Sequence, residues 1–153
     1  CDSVEFLISA NPGEELKPLS KIASGGEMSR IMLAVKSVLS DTDNVEAMIF
    51  DEIDTGVSGR AAQKIAEKMG KLAQTRQILC ITHLAQIAAM ADYQYLIEKH
   101  TEGDSTKTTV SLVTDERRRE ELARIIGGVK VTELTLNAAQ EMLDMAAEQK
   151  KKS

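Results

Sequence analysis

Two short apolar runs, separated by an amphipathic segment, constrain the fold of this 153-residue chain more than any other feature. The runs are Glu46–Glu52 and Gln77–Thr82, and their continuous hydrophobicity is typical of strands that are covered on both faces in a parallel sheet. Apolar residues recur at helical spacing between them, which predicts a helix from about Arg60 to Ala73. The succession of strand, helix and strand predicts an α/β fold with a mainly parallel sheet and flanking helices.

Each apolar run is followed by side chains that can take part in chemistry. The first run ends in Asp51 and Glu52, and His83 follows the second. Ligands bind at the carboxyl edge of an open α/β sheet. Since successive residues of a strand point in opposite directions, the two carboxylates are expected to divide two tasks: one holds Mg2+, and the other orients or deprotonates a water nucleophile. The plainer alternative is that Asp51 caps a loop.

A serine and two glycines precede another amphipathic segment. Apolar residues at helical spacing begin at Met28, so Ser24, Gly25 and Gly26 occupy the predicted N-terminus of a helix. Backbone N–H groups are unpaired there and the helix dipole is positive, which makes an anion the natural ligand. Taken alone, the three residues are more simply explained as a serine cap with a glycine turn. The turn-rich loop Asp54–Gly59 is predicted to reach the same sheet edge as the carboxylates.

Four blocks of the sequence resemble, in this order, the C-terminal part of an ABC-type ATPase head (P-loop NTPase-like). They are Ala23–Glu27 for the signature, Met48–Glu52 for the Walker B strand, Asp54–Gly59 for the D-loop and Ile81–His83 for the switch strand. Three segments resemble more closely the SMC-like heads of the RecN family of bacterial DNA repair proteins: Ser9–Glu14, Asp51–Gly59 and Thr82–Ala88. The joint occurrence of these blocks is highly specific, although each block alone is not.

The resemblance implies an ATP site that is shared between two heads. Six residues of the signature and the D-loop would belong to the site for ATP bound mainly by the opposite head: Ser24, Gly25, Gly26, Glu27, Asp54 and Ser58. The D-loop would also cross the dimer interface and couple the two sites. Two positions depart from the commoner ABC pattern, since Ala23 replaces leucine and Ser58 replaces aspartate, and both departures are RecN-like.

The resemblance also implies the catalytic roles. Asp51 would hold Mg2+, Glu52 would position or activate the attacking water, and His83 would hydrogen-bond the γ-phosphate of ATP. The implied function of the whole protein is ATP-dependent repair of DNA double-strand breaks and recombination, in the cytoplasm at the nucleoid. Two alternatives stay open, a fragment of a transporter nucleotide-binding subunit and a non-catalytic dimerisation module.

The loop that cradles the α- and β-phosphates is missing, because no Gly-x-x-x-x-Gly-Lys-Ser/Thr motif occurs in the sequence. Residues 1–153 are therefore expected to be the C-terminal half of a head whose Walker A half and coiled coil lie elsewhere in a longer protein. The expected partners are that Walker A half, a second head in a homodimer, and DNA in the full-length protein. By itself the chain is expected to hydrolyse ATP negligibly.

The net charge of −5 argues against a basic nucleic-acid surface on this part of the protein. Arg117–Arg119 precede two glutamates, as on a solvated helix face, and Lys150–Lys152 are interpreted as a disordered tail. Two cysteines, with no signal peptide or membrane span, favour a cytoplasmic protein without membrane contact. Cys80 is predicted to be a buried strand residue, and its spacing to His83 gives a minor zinc alternative.

The C-terminal third is predicted to support the part that carries the motifs. Two β-prone segments flank Glu102–Ser105, which predicts an antiparallel hairpin. A helix from about Asp115 to Ile126 is expected to end at two glycines, and Thr132 is expected to cap a last helix. The apolar stripe of that helix is interpreted as core, with a partner surface as the alternative. Near the other end of the chain, Val4–Ile8 is predicted to be a strand.

Overall fold

The computed structural model describes residues 4–9, 13–21, 24–39, 42, 44–103 and 105–152, so Ala23 and Asp104 lie outside the described residues. The elements, in chain order, are β1 Leu7–Ile8, β2 Lys17–Pro18, a 3-10 turn Leu19–Lys21, α1 Gly25–Val38, β3 Ala47–Phe50, α2 Gly59–Leu72, β4 Gln77–Cys80, α3 Ala85–Met90, β5 Gln94–Glu102, β6 Ser105–Val113, α4 Asp115–Gly127 and α5 Glu133–Lys152. The predicted α/β class is confirmed.

Strands β3 and β4 form the predicted parallel pair, with Ala47 opposite Gln77 and Phe50 opposite Cys80. Helix α2 connects them, as the order of the segments predicted. Within the described residues, parallel pairing is confined to these two strands, while β1 with β2 and β5 with β6 pair antiparallel. The carboxyl ends of β3 and β4 lie side by side, so the residues that follow them share one edge of the sheet.

One face of this parallel pair is packed and the other is open. Met48 and Phe50 face the core and are 7% and 5% exposed, whereas Ile49 and Leu79 are 74% and 46% exposed. The continuous hydrophobicity of the strands predicted cover on both faces, and the described residues cover one of them. The open face is apolar and belongs to the type of sheet that other proteins bury.

The core fills the space between the packed face of the sheet and helices α2 to α5. Leu122 in α4 and Ile53 in the loop after β3 are both 0% exposed. Helix α3 was not predicted, because five of its six residues are buried and the segment has no polar and apolar alternation that would indicate a helix. This short helix begins two residues after His83, so the core directly supports the histidine.

The C-terminal hairpin and the two last helices agree with their predictions. The β5–β6 ladder runs from the pair Gln94 and Val113 to the turn. Helix α4 is followed by Gly128 at φ 72°, a left-handed conformation that favours glycine. The Thr132 hydroxyl accepts the backbone N–H of Thr135 at 3.3 Å at the start of α5, and the core side of α5 is buried as predicted. By contrast, the strand predicted for Val4–Ile8 is limited to its last two residues.

The basic cluster at the end of α5 differs from its prediction. The helix continues to Lys152, and Lys150 Nζ lies 2.5 Å from Asp92 Oδ1, so the interpretation as a disordered tail is wrong. The reason is an acidic partner that lies 58 residues earlier in the sequence and is brought close by the packing of α3 on α5. Among the helices that the structure describes, none is long and apolar enough to cross a membrane.

Arg118 also differs from the solvated side chain that the sequence predicted. Its Nη2 donates to the carbonyl oxygens of Ala88, Ala89 and Ala91 at 3.2, 3.1 and 2.6 Å. These carbonyls belong to the C-terminal end of α3, where helix carbonyls have no partner inside the helix. A cation favours this end of a helix dipole, so α4 supplies the C-terminal cap of α3.

Candidate functional site

The serine and the glycines begin helix α1 as predicted. Ser24 has an extended backbone, and its Oγ accepts the backbone N–H of Glu27 at 3.2 Å. The capping interpretation is therefore confirmed for the single chain. Because a hydroxyl that accepts a hydrogen bond still has a proton to donate, the cap is compatible with an additional acceptor at this position. Ser24 and Gly25 are exposed, whereas Gly26 is buried.

The loop after β3 comes very close to the start of α1, which explains why glycine occupies positions 25 and 26. A Cβ atom at Gly25 would collide with the carboxylate of Glu52, and one at Gly26 would lie 2.8 Å from the Glu52 carbonyl oxygen and 3.1 Å from the Thr55 Cβ. The signature turn and the Walker B carboxylate are thus in direct contact within one chain. The Glu52 carboxylate lies at the positive end of α1, in the place that favours an anion.

Two polar side chains of α1 fasten this loop to the helix. Ser29 Oγ donates to the Asp51 carbonyl at 2.9 Å, and Arg30 Nη1 donates to the carbonyls of Ile53 and Thr55 at 3.2 and 2.8 Å. The sequence analysis missed both residues as parts of the site. The sequence indicates only that both residues lie on the polar side of a helix that follows two glycines. Such a position does not indicate which groups the side chains contact.

Asp51 and Glu52 diverge for a different reason from the one predicted. Strand β3 ends at Phe50, and Glu52 has φ 58°, a left-handed conformation that costs a residue with a side chain on the order of 1–3 kcal/mol. Alternation along a strand therefore does not separate the two carboxylates, and the prediction is wrong on that point. Asp51 Oδ1 accepts the Glu52 N–H at 2.9 Å, which agrees with the loop-capping alternative.

A single carboxylate at this edge fits Mg2+ when the remaining ligands are phosphate oxygens and water. Asp51 is exposed, and its second carboxylate oxygen has no hydrogen-bond partner in the described part of the chain. No group of three or more His, Cys, Asp or Glu side chains that could hold a metal ion occurs among the described residues. The assignment of Asp51 to Mg2+ therefore remains a prediction.

Asp54 is buried, at 3% exposure, although the other acidic residues of the loop, Asp51 and Glu52, are exposed. Its Oδ2 lies 2.5 Å from Thr82 Oγ1, 2.9 Å from the backbone nitrogen of His83 and 3.0 Å from His83 Nδ1. The structure thus places this D-loop residue inside the chain, with partners on the switch segment. Its predicted contact with ATP remains a prediction. Thr82 was missed, because a threonine at the end of an apolar run is typical of any strand.

His83 and Ser58 are both open to solvent. The His83 side chain is 74% exposed and lies at the same edge as the carboxylates, as the sequence predicted. Ser58 stands at the N-cap of α2, and its side chain makes no capping hydrogen bond. Two left-handed glycines flank Ser58: Gly56, in the loop before α2, at φ 73°, and Gly59, the first residue of α2, at φ 51°. These glycines allow the sharp course that carries Ser58 to the surface.

Cys80 is held as a neutral thiol. Burial, with a further contribution from the carboxylates of Asp54 and Asp51, raises the pKa of the Cys80 thiol to about 12. Metal binding and nucleophilic attack both require the thiolate, so this environment disfavours the zinc alternative. The thiol is free and lies in strand β4 as predicted, but it is half-buried and not buried.

The α/β fold and the order of the motifs agree with the predicted resemblance to the C-terminal part of an ABC-type ATPase head. The chain is 54% identical over 145 residues to the DNA repair protein RecN of Halalkalibacterium halodurans, and the match covers 95% of this chain and 26% of that protein. RecN of Bacillus subtilis is 53% identical over 145 residues, with 95% and 25% covered. RecN of Treponema pallidum is 49% identical over 150 residues, with 98% and 26% covered. The predicted resemblance to RecN is thus confirmed.

The chain spans about a quarter of the length of these curated relatives. No family model matches it. Among solved structures, one chain from work on ATP-driven dimerization and DNA-stimulated activation of SMC ATPases is 22% identical, with a TM-score of 0.49, and the superposition covers 78% of this chain and 79% of that one.

Proposed function

We propose that this chain is the C-terminal half of an ATPase head in a RecN-type DNA repair protein, in which ATP bound between two heads drives their association and is then hydrolysed. The observation that carries this proposal is the convergence at one sheet edge of the signature turn, the two carboxylates and His83. The RecN relatives are named as DNA repair proteins, which supports a role in DNA repair. We propose that this role is double-strand break repair and recombination, in the cytoplasm at the nucleoid.

Three groups of side chains would divide the chemistry. Ser24 and Gly25 are exposed at a helix N-terminus and, with the backbone of Gly26, would meet the γ-phosphate of a nucleotide held by the opposite head. Asp51 would hold Mg2+, which neutralises phosphate charge when bound. Glu52 would orient or deprotonate the attacking water. His83 would contact the same phosphate from the neighbouring strand.

The position of Glu52 has a consequence for this scheme. Its carboxylate lies against Gly25 of its own chain, at the helix end that would receive a γ-phosphate. Two anions repel each other at one helix end, so Glu52 must turn away from its own signature when the phosphate arrives. Its left-handed backbone, fixed in part by Asp51, makes this turn a local rearrangement of the loop.

The open face of the parallel sheet supports a second half of the head as a partner. Ile49, Leu79 and Ile81 are 74%, 46% and 55% exposed on or next to strands of a kind that is normally covered on both faces. The relatives are about four times as long as this chain, so a further segment is available to cover them. The Walker A half would pack here. DNA binding would reside mainly outside this part, because its net charge is −5.

The test is ATP-dependent association of the full-length protein. In a Glu52→Gln background, which should slow hydrolysis by roughly 100- to 10,000-fold, ATP and Mg2+ should convert the protein into a dimer of heads that is detectable by light scattering. Adding Ser24→Arg should abolish this dimer, because a long cation blocks the phosphate position. The matched control is Thr106→Arg, at an exposed hairpin position, which should leave the dimer intact.

Association that is independent of ATP and insensitive to Ser24→Arg would contradict the proposal and favour the non-catalytic module. The isolated 153-residue chain should show negligible ATP hydrolysis, because it lacks the Walker A loop. Magnesium-dependent turnover by the purified chain would contradict this expectation. The RecN relatives give no support to the transporter alternative.

A further inference from the structure

Asp54 is a buried carboxylate in a loop whose other acidic residues are exposed. It is 3% exposed, whereas Asp51 and Glu52 lie at the surface. A buried carboxylate is costly unless hydrogen bonds compensate for the lost hydration. A residue that acted at a dimer interface or on a nucleotide of the opposite head would need an accessible carboxylate. The burial of Asp54 therefore points to a task inside its own chain.

Two hydrogen bonds and one ion-pair contact from the switch segment reach the same oxygen of this carboxylate. Thr82 Oγ1 lies 2.5 Å from Asp54 Oδ2, the His83 backbone nitrogen 2.9 Å and His83 Nδ1 3.0 Å. Because a carboxylate oxygen offers only lone pairs, this short contact favours the form of the ring that carries a proton on Nδ1. Asp54 Oδ2 thus contacts both the backbone nitrogen and the ring of His83.

The direction of the threonine hydrogen bond is also determined. The backbone N–H of Leu84 donates to Thr82 Oγ1 at 3.0 Å, so the hydroxyl oxygen already serves as an acceptor. The single hydroxyl proton is then free to point to Asp54. The Thr82 hydroxyl therefore accepts from the Leu84 N–H and donates to Asp54 Oδ2, which keeps this oxygen in place. Neither hydrogen bond can run in the opposite direction.

We propose that Asp54 is a positioning residue for His83. Its carboxylate holds the ring with Nδ1–H directed inward and presents Nε2 to solvent as the atom that meets a ligand. The exposed ring, at 74%, leaves Nε2 open for this contact. Nε2 accepts a hydrogen bond when the ring is neutral and donates one when it is doubly protonated.

The same residue joins the switch segment to the signature helix. The carbonyls on both sides of Asp54, those of Ile53 and Thr55, accept hydrogen bonds from Arg30 of α1. A shift of α1 would therefore move the peptide groups that carry Asp54 and, with them, the ring of His83. This inference rests on the proposed function only for the identity of the ligand as a phosphate.

The test is the proton position on the His83 ring, read from the nitrogen and carbon-bound proton shifts of the 153-residue chain by NMR. Spectra are taken at about pH 9, above the ordinary histidine pKa of about 6.5. The chain has two histidines, and the exposed His100 of β5 serves as an internal control. His83 should show the Nδ1–H form, whereas His100 should show the mixture of a free imidazole. Equal spectra for both rings would overturn the proposal without any variant.

Two variants sharpen the result. Asp54→Ala removes the acceptor, so His83 should shift to the spectrum of His100, while Asp54→Asn retains an oxygen in place and should keep most of the Nδ1–H form. An unchanged His83 ring in folded Asp54→Ala would overturn the proposal. No nucleotide enters these measurements, so they succeed or fail independently of the proposed ATPase function. If Asp54→Ala fails to fold, the wild-type spectrum and the Asn variant still decide the question.

Discussion

The motif edge and the helical base of this molecule are held together by different forces. The motif edge comprises the start of α1, the loop 51–55 and the segment 82–84, and side-chain hydrogen bonds to backbone or buried carboxylate link its parts. The helical base comprises α2 to α5, and apolar packing holds it. A hydrogen bond of the edge contributes about 0.5–1.5 kcal/mol when both partners are neutral and about 1.5–3 kcal/mol when one is charged, as at Arg30 and Asp54, so the edge can rearrange one bond at a time while the base keeps its shape.

This difference would suit the proposed function, in which the lobe meets partners at one side. The proposed composite site would have to accept a nucleotide and another protein surface, and a network of separable hydrogen bonds can exchange its partners one at a time. The base, by contrast, gains its stability from close packing, which tolerates little movement. The exposed positions of Ser24, Asp51 and His83 and the burial of Asp54 mark the boundary between the two regions.

The largest effect on stability is expected from a cavity in the helical base. Leu122 is 0% exposed, so Leu122→Ala should lower the free energy of unfolding by about 2–5 kcal/mol in urea titrations. The control is Leu134→Ala in α5, where the leucine is 80% exposed and the loss should stay within about 0.5 kcal/mol. Similar losses at both positions would contradict the assignment of the base as the packed region.

A matched pair of glycine substitutions tests the motif edge. Gly26→Ala places a methyl group against the backbone oxygen of Glu52 and should cost about 1–3 kcal/mol of stability, because the loop has to shift. Gly25→Ala meets only the end of the Glu52 side chain, which can rotate away, and should cost less. Urea unfolding of both variants measures the difference. An equal or reversed order would show that Glu52 does not lie against α1 as described.

The smallest effect is a pH dependence at the border of the two regions. The pKa of the Cys80 thiol is raised to about 12 in the folded chain from an ordinary 9.0. The folded chain therefore keeps a proton that the unfolded chain loses, so stabilisation is complete below about pH 9 and is lost as the pH rises toward 12. The slope is at most about 1.4 kcal/mol per pH unit. Urea titrations between about pH 8 and 10 should show a shallower slope for Cys80→Val, and identical slopes would contradict the shift.

Hydrophobic periodicity and the residues typical of caps and turns predicted the elements of this fold that have one buried and one exposed side. Helix α2, the hairpin and the Ser24 cap all have such patterns, and the carboxyl edge followed from the parallel arrangement of β3 and β4. Helix α3 escaped prediction because its residues are buried almost all round. The contacts of Arg118 and Lys150 join positions 27 to 58 residues apart, and no local pattern encodes such partners.

The sequence likewise predicted one part of the candidate site and not another. The residue types of the motifs indicated which groups converge, and the structure brings the signature turn, Asp51, Glu52 and His83 to one edge. The left-handed backbone at Glu52 and the inward direction of Asp54 depend on tertiary contacts with Gly26, Thr82 and the His83 backbone. A single sequence carries no signal for these contacts, because each involves a residue whose type is common in loops.

The Arg118 cap on α3 bears on the order in which this lobe folds. A six-residue helix is too short to be stable alone, and the end of α3 is completed by a side chain that lies 27 to 30 residues later in the chain. We expect α3 to become stable only once α4 has docked, so that the two helices should open together in native-state hydrogen exchange. The segment that carries His83 would then acquire its final geometry late in folding, after the support beneath it is complete.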